Sequence, residues 1–159
     1  MDDVIALFRR YKDPVYRLAL SFTGSPADAE DVTQTVFLKY LENRPELEPG
    51  REKAWLLQVT ANESRNLWRW FRRHATVPLE EVQPVAILPP QVEEVAESVK
   101  KLKPMDRAVL YLFYYEEYST GEIARMLQIS QSAVTTRLHR ARERLKAQLE
   151  QEGYHETGV

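Results

Sequence analysis

Arginine and hydroxyl side chains recur near the end of this 159-residue sequence. Side chains of these types can bind phosphate groups and the hydrogen-bonding edges of bases. Arg137, Arg140 and Arg144 are spaced three and four residues apart, so a helix would place them on one side. Guanidinium groups in such a row contact phosphates or base edges of duplex DNA, and Thr135 and Thr136 lie close enough to join them. The pattern favours a DNA-binding helix, although a solvated helix face would look similar.

A second cluster, at residues 62–74, mixes basic, amide and aromatic side chains. Amides read base edges, arginines hold phosphates, and aromatic rings stack on unpaired bases. Trp68 is more typical of a core position than of a stacking one, whereas the pattern leaves both roles open for Trp70. The polar side chains that share one helical face are Asn62, Arg65, Asn66 and Arg69.

Enzyme chemistry finds little support in this sequence. It has no cysteine, which excludes disulfides, thiolate metal sites and a cysteine nucleophile. Its three histidines, His74, His139 and His155, are isolated. The sequence contains no glycine-rich phosphate loop and no His/Asp set with the spacing of metal ligands. We therefore expect no catalytic residue, no cofactor, no metal and no small-molecule substrate.

A net charge of −2 does not by itself favour a nucleic-acid partner, but the charge is unevenly distributed. Residues 62–74 carry +3 and residues 123–148 carry +5, with −5 between them at residues 75–122. These basic blocks coincide with the two clusters and favour DNA binding. No apolar run approaches the length of a membrane span, and the acidic start lacks a signal-peptide pattern, so a cytoplasmic protein is expected.

Helical periodicity dominates the chain, which predicts an all-α fold of two helical domains. The first helical stretch is interrupted at Asp13-Pro14, which predicts two short helices or one kinked helix ending at Gly24. Ser25 should cap a second helix that ends near Asn43. A third helix is expected over 52–74.

Four prolines and no basic residues within 75–90 predict a flexible linker between the domains. Beyond it, apolar positions including Val92, Val95, Val99 and Leu102 form a helical stripe, and Pro104 should open the next helix. The predicted division is a first domain at 1–74, a linker at 75–90, a second domain at 91–149 and an acidic tail at 150–159.

The strongest motif lies at residues 118–149. Ser119 and Glu122 form a capping box, Ala124 suits the close crossing of two helices, and Ser130 is a suitable cap for the next helix. These features predict a helix-turn-helix, with an amphipathic helical hairpin as the alternative.

With these residues in view, the sequence resembles the extracytoplasmic-function class of bacterial sigma-70 factors. Residues 28–38 are similar to the family's region 2.2, and Ala54-Trp55-Leu56 followed by Asn62 is similar to regions 2.3 and 2.4. Residues 119–144 are similar to region 4.2. Gln128 departs from the glycine that the family usually has in the turn.

The resemblance implies a transcription initiation factor whose partners are core RNA polymerase, promoter DNA and an anti-sigma factor. It implies that polymerase binds Asp31, Gln34, Thr35, Phe37 and Leu38. The −10 element would be read and melted by Asn62, Arg65, Asn66, Arg69, Arg72 and Arg73, with a flipped base held near the loop of residues 43–53. The −35 element would contact Ser132, Thr135, Thr136, Arg137, Arg140 and Arg144.

A stand-alone helix-turn-helix regulator is the main alternative function. It explains residues 118–149 equally well. It does not explain why Asp31, Gln34 and the polar face that begins at Asn62 occur in the same chain.

Overall fold

The computed structural model describes residues 2–74 and 99–151, and these residues are helical apart from short connections, with no strand among them. The predicted linker at 75–90, the start of the second domain with Val92 and Val95, and the tail from residue 152 lie outside the described residues. The helices are α1 (Asp2–Thr23), α2 (Pro26–Asn43), α3 (Glu52–His74), α4 (Pro104–Leu110), α5 (Thr120–Leu127) and α6 (Gln131–Gln151).

The first helix is one continuous element, and the expected break at Asp13 is absent. Pro14 lies inside α1. Proline in a helix interior costs about 3 kcal/mol, but each fully buried aliphatic or aromatic side chain gains roughly 1.5–3 kcal/mol. Val4 before the proline and Val15, Leu18 and Phe22 after it are all buried at helical spacing. Their shared burial holds the helix together through Pro14.

Local capping sets the ends of the next helices as the sequence predicts. Gly24 follows α1 with φ +66. Ser25 Oγ then accepts a hydrogen bond from the backbone N–H of Asp28 at 3.3 Å, which caps α2. The end of α2 at Asn43 and the bounds of α3 agree with the sequence prediction. Arg44, with φ 41, closes α2 in the left-handed region.

The second group of helices also follows its predicted signals. Pro104 begins α4, which continues as a π-helical turn over Tyr111–Tyr115. The capping box at Ser119 is complete, because the Ser119 and Glu122 side chains each accept from the other's backbone N–H. Ser130 Oγ accepts from the N–H of Ala133 at 3.0 Å and caps α6. A helix-turn-helix over α5 and α6 results.

One cluster of buried hydrophobic side chains extends through both groups of helices. In the first group α1 packs against α2 and α3, and in the second α4 and α5 pack against α6. The two groups also meet, through α1 with α4 and α3 with α5. Among the described residues, no helix is long and apolar enough to cross a membrane.

Gly121 offers a direct test of helix propensity in the helix-turn-helix. A Cβ at this position would be no closer than 3.9 Å to its neighbours, and α5 has ordinary helical geometry there. We expect Gly121→Ala to raise the free energy of unfolding by about 1 kcal/mol, measured by chemical denaturation. Gly50→Ala is the control: Gly50 has open space but φ +85, so alanine there should destabilise. Equal effects of the two changes would contradict this account.

Candidate nucleic-acid interface

The polar face of α3 contains the residues predicted to read the −10 element. Asn62 and Arg65 are half-buried, whereas Asn66 and Arg69 are exposed. Arg65 Nη2 donates to Asn62 Oδ1 at 3.0 Å, which fixes the orientation of the Asn62 amide. The structure therefore brings these four side chains together on one face, with Arg65 as the positioning partner of Asn62.

Arg65 also contacts the second domain. Its Nη1 donates to the backbone carbonyl of Leu127, at the end of α5, at 2.6 Å. Burial lowers the pKa of Arg65 from its ordinary value, with a smaller contribution from the charge of Arg69. The guanidinium is thus partly withdrawn from solvent in this conformation.

The last turns of α3 carry basic and aromatic side chains together. Arg72 and Arg73 are exposed, and the Arg72 guanidinium lies 4.6 Å from the Trp68 ring centroid. Trp70 is 53% exposed, and its ring stacks on His74 with centroids 4.6 Å apart. The sequence left the role of Trp70 open, and the structure places it at the surface. This end of the helix is a basic surface with aromatic faces.

A cleft of about 530 Å³ lies beside the polar face of α3. Its walls come from α2 and α3, with the Trp55 ring as an aromatic component, and Gln128 of the helix-turn-helix completes the lining. Lys39 and Glu63 form an ion pair within it. An aromatic ring beside amide and guanidinium donors suits a flat, polar ligand such as a nucleic-acid base. The remaining lining residues are Asn43, Val59, Asn62, Arg65, Asn66 and Arg69.

Helix α6 presents most of the residues predicted to read the −35 element. Ser132, Thr135, Thr136, Arg140 and Arg144 are exposed. Both threonine hydroxyls donate to backbone carbonyls one turn earlier, Thr135 to Gln131 at 3.1 Å and Thr136 to Ser132 at 2.9 Å. Their methyl groups therefore remain for apolar contacts. On the opposite side Val134, Leu138 and Ala141 are buried at helical spacing.

Arg137 departs from the expectation that it shares the outer face with Arg140. It is half-buried, and its Nη1 donates to Asp106 Oδ1 of α4 at 2.9 Å. Asp106 is 5% exposed and a buried carboxylate requires a partner, so Arg137 is drawn toward the core. Sequence spacing cannot reveal this, because the partner lies 31 positions earlier in the chain.

The residues of α2 that the resemblance linked to polymerase divide into exposed and buried groups. Asp31, Gln34 and Leu38 are exposed and lie on one helical face. Thr35 is half-buried and donates to the carbonyl of Asp31 at 2.9 Å. Phe37 is buried, and its ring meets Phe8 of α1 edge-on at 5.0 Å, so it is placed as a core residue rather than a surface contact.

Comparisons with known proteins decide the family. Residues 7–74 match the family model described as Sigma-70 region 2, and residues 92–145 match the one described as Sigma-70, region 4. The chain is 32% identical over 157 residues to the ECF RNA polymerase sigma factor SigM of Mycobacterium tuberculosis, covering 96% of this chain and 79% of SigM. It belongs to the extracytoplasmic-function class of sigma-70 factors.

Other sigma factors agree with this assignment. The RNA polymerase sigma-E factor of Streptomyces avermitilis is 32% identical over 149 residues, covering 89% of this chain and 82% of that protein. The structure of CnrH in complex with the cytosolic domain of CnrY matches 92% of this chain and 87% of CnrH with a TM-score of 0.64 and 30% identity. RpoE, in its complex with NepR from Bartonella quintana, has the same fold, with a TM-score of 0.73 at 22% identity over 94% of this chain and 98% of RpoE.

This sigma factor is therefore a transcription initiation factor that directs core RNA polymerase to promoters. The region 2 match covers a part of the chain that a stand-alone helix-turn-helix regulator leaves unexplained, so that alternative is not favoured. Sigma factors are non-enzymatic initiation factors. Among the described residues, no group of three or more His, Asp or Glu side chains gathers where it could hold a metal ion.

Sequence reasoning missed the cations that join the two sigma regions. Arg107 of α4 donates through Nε to the carbonyl of Ser21 in α1 at 2.8 Å. Lys53 of α3 pairs with Glu116, which follows α4 and its π-helical turn. No local pattern marks these residues, since each partner is distant in the chain.

Proposed function

We propose that region 2 reads and helps to melt the −10 element through α3, and that region 4 reads the −35 element through α6. The supporting observation is that both basic blocks lie on exposed helix faces. Arg69, Arg72 and Arg73 are exposed along α3, and Arg140 and Arg144 are exposed along α6. Phosphate contacts from such rows position a protein on DNA, while neighbouring amide and hydroxyl groups read bases.

The cleft beside α3 is the proposed receptor for an unpaired −10 base. Trp55 offers a ring for stacking, and the Asn62 amide, oriented by Arg65, offers donors for a base edge. Unstacking a base costs a few kcal/mol, so a site that holds the extruded base stabilises the open strand without any covalent chemistry.

The exposed face of α2 is the proposed polymerase contact. Asp31 and Gln34 supply polar groups one helical turn apart, and Leu38 is 55% exposed beside them. Phe37 is buried against Phe8 of α1, and this contact anchors α2 to α1. Thr35 lies at its edge.

Removing the two polar groups of this face should weaken polymerase binding. We expect Asp31→Ala combined with Gln34→Ala to lower the affinity for core polymerase about tenfold, since interface truncations of this kind cost roughly 1–2 kcal/mol. A quantitative pull-down with purified core enzyme measures this. Asp13→Ala, which removes one carboxylate from an exposed position of α1, is the control. Wild-type recovery of the double variant would refute the assignment.

The proposed domain division is 1–74 for region 2, 75–90 for the linker, 91–149 for region 4 and 150–159 for the tail. The matched ranges, 7–74 and 92–145, support it. Because its partners are core RNA polymerase and promoter DNA, we place the protein in the cytoplasm. An anti-sigma factor is a further proposed partner, supported by CnrH, whose structure contains the cytosolic domain of CnrY.

In vitro transcription tests the proposed function. Purified core polymerase with this sigma factor is expected to transcribe a subset of fragments from a pool of bacterial promoters. Core polymerase alone gives the background. Failure to enrich any promoter fragment would overturn the proposal.

A further inference from the structure

Gln131, the first residue of α6, has an exposed amide that the other helix of the helix-turn-helix holds in place. Its Nε2 donates to Thr120 Oγ1, on the first residue of α5, at 2.9 Å. The two residues are 11 positions apart, so this bond depends on how the two helices cross. A long side chain that would otherwise sample several rotamers is thereby kept in one orientation at the surface.

The bond to Thr120 leaves part of the hydrogen-bonding capacity of this amide unused. A glutamine amide has two N–H donors and a carbonyl oxygen that accepts. Thr120 takes one N–H of Gln131. Within the described parts of the chain, the second N–H and Oε1 meet no hydrogen-bond partner. One donor and one acceptor on the same planar group therefore remain available to a ligand.

A donor beside an acceptor is the pattern that matches adenine in duplex DNA. In the major groove adenine presents N7 as an acceptor and its N6 amino group as a donor, and a glutamine amide can bond to both. Guanine presents two acceptors, N7 and O6, so the amide oxygen would face another acceptor there. The free groups of Gln131 therefore distinguish adenine from guanine.

The position of Gln131 on α6 suits base readout better than that of the nearest arginine. Thr135 lies one turn later on the same side, and its hydroxyl donates to the Gln131 carbonyl at 3.1 Å. The methyl group of Thr135 thus remains beside the amide, where it can contact a thymine methyl. Arg137, in contrast, is drawn away by Asp106. The first turns of α6 therefore carry groups that can select an A·T pair.

We propose that Gln131 reads an adenine of the −35 element and that Thr120 positions the Gln131 amide for this contact. The inference rests on the proposed function, because it requires α6 to lie in the major groove of the −35 element. It deepens that function by naming the base and the residue that selects it. An amide already ordered by Thr120 loses less conformational freedom on binding, which strengthens its preference.

A promoter library tests the assignment in the complete polymerase holoenzyme. The −35 element of a transcribed promoter is randomised, bound fragments are selected and sequenced, and the preference for each base is obtained at each position. The wild type should favour adenine roughly tenfold at one position or more, as expected of a bidentate pair. Gln131→Ala should reduce that preference to about twofold or less, while the other positions keep theirs. The matched control is Gln151→Ala, which removes the same amide from an exposed position at the end of α6.

Gln131→Glu provides a change of specificity that a purely structural role would not produce. A carboxylate only accepts hydrogen bonds, and cytosine presents its N4 amino group as a donor in the major groove. We expect cytosine to replace adenine as the preferred base at the same position. An acidic residue is favourable in the first turn of a helix, so α6 should remain folded in this variant.

Two changes at Thr120 test its positioning role. Thr120→Val keeps the shape of the side chain but removes the oxygen that accepts from Gln131, whereas Thr120→Ser keeps a hydroxyl. Thr120→Val should lower the adenine preference about threefold, because the amide is no longer ordered before binding. Thr120→Ser should retain the wild-type preference. Equal preferences in the two variants would contradict the positioning role.

Unchanged base preferences in Gln131→Ala and Gln131→Glu would overturn the readout by Gln131, as would a wild type that prefers other bases but nowhere adenine. In those cases Arg140→Ala combined with Arg144→Ala would still weaken binding to the −35 element, and the proposed function would stand. Failure of the proposed function has a different signature. The wild type would then show no preferred base at any −35 position, and the double arginine variant would bind as the wild type does.

Discussion

Asn62→Ala is expected to slow promoter opening at least tenfold while leaving binding to the closed duplex nearly unchanged. The amide lies on the face of α3 beside the cleft, and Arg65 holds it in one orientation. A well-placed side-chain pair with a base contributes about 1–3 kcal/mol, and this contact forms only after the base has left the duplex. Permanganate footprinting of unpaired thymines at the −10 element measures the opening.

The closed complex of the same variant provides the control. A gel shift at low temperature, before melting, should show wild-type affinity. Arg65→Ala removes the hydrogen bond to Asn62 Oδ1 together with the one to the Leu127 carbonyl, and it should also slow opening because the Asn62 amide loses its fixed orientation. Normal melting by Asn62→Ala would refute the assignment of α3 to base capture.

Arg140→Ala combined with Arg144→Ala is expected to weaken binding to −35 duplex DNA about tenfold to a hundredfold. Both guanidinium groups are exposed on α6, one turn apart on the outer face. The slope of log affinity against log salt should become shallower by about 0.9 for each lost phosphate contact. The polymerase holoenzyme is titrated into fluorescently labelled −35 duplex DNA at several salt concentrations. The anisotropy of the labelled DNA then gives both the affinity and its salt dependence.

Lys101→Ala combined with Lys103→Ala is the matched control, because it removes the same charge from exposed residues outside the helix-turn-helix. Arg137→Ala belongs in a separate comparison. Its pairing with the buried Asp106 means that alanine there should also lower the free energy of unfolding. An equal loss of affinity in the lysine and arginine pairs would show that total charge, and not the α6 face, governs binding.

Several features of the fold were predictable because their causes are local. Ser25, Ser119 and Ser130 cap helices through bonds to residues three positions away, so the sequence alone reveals them. The inward positions Ile123, Ala124 and Leu127 follow helical spacing in the same way. Pro14 was misleading, because proline's tendency to interrupt a helix was outweighed by the burial of neighbouring α1 side chains against distant helices.

The candidate site was predictable only in part. Helical spacing placed Asn62, Arg65, Asn66 and Arg69 on one face, and the structure keeps them together. Spacing did not distinguish Phe37, which is buried against Phe8, from Leu38, which is exposed. Whether a side chain at the edge of a helix's apolar face is exposed to solvent depends on where the neighbouring helix packs.

The sequence by itself determined the all-helical character, the capped starts of α2, α5 and α6, and the two basic blocks within a chain of net charge −2. Those properties depend on periodicity, capping and composition, which act over a few residues. The tertiary structure alone decided that Arg137 pairs with Asp106, that Arg107 bonds to Ser21 and that Arg65 meets Leu127. Each of these contacts joins residues far apart in the chain, and the physical reason is that a partly buried cation takes whichever acceptor the packing of helices brings to it.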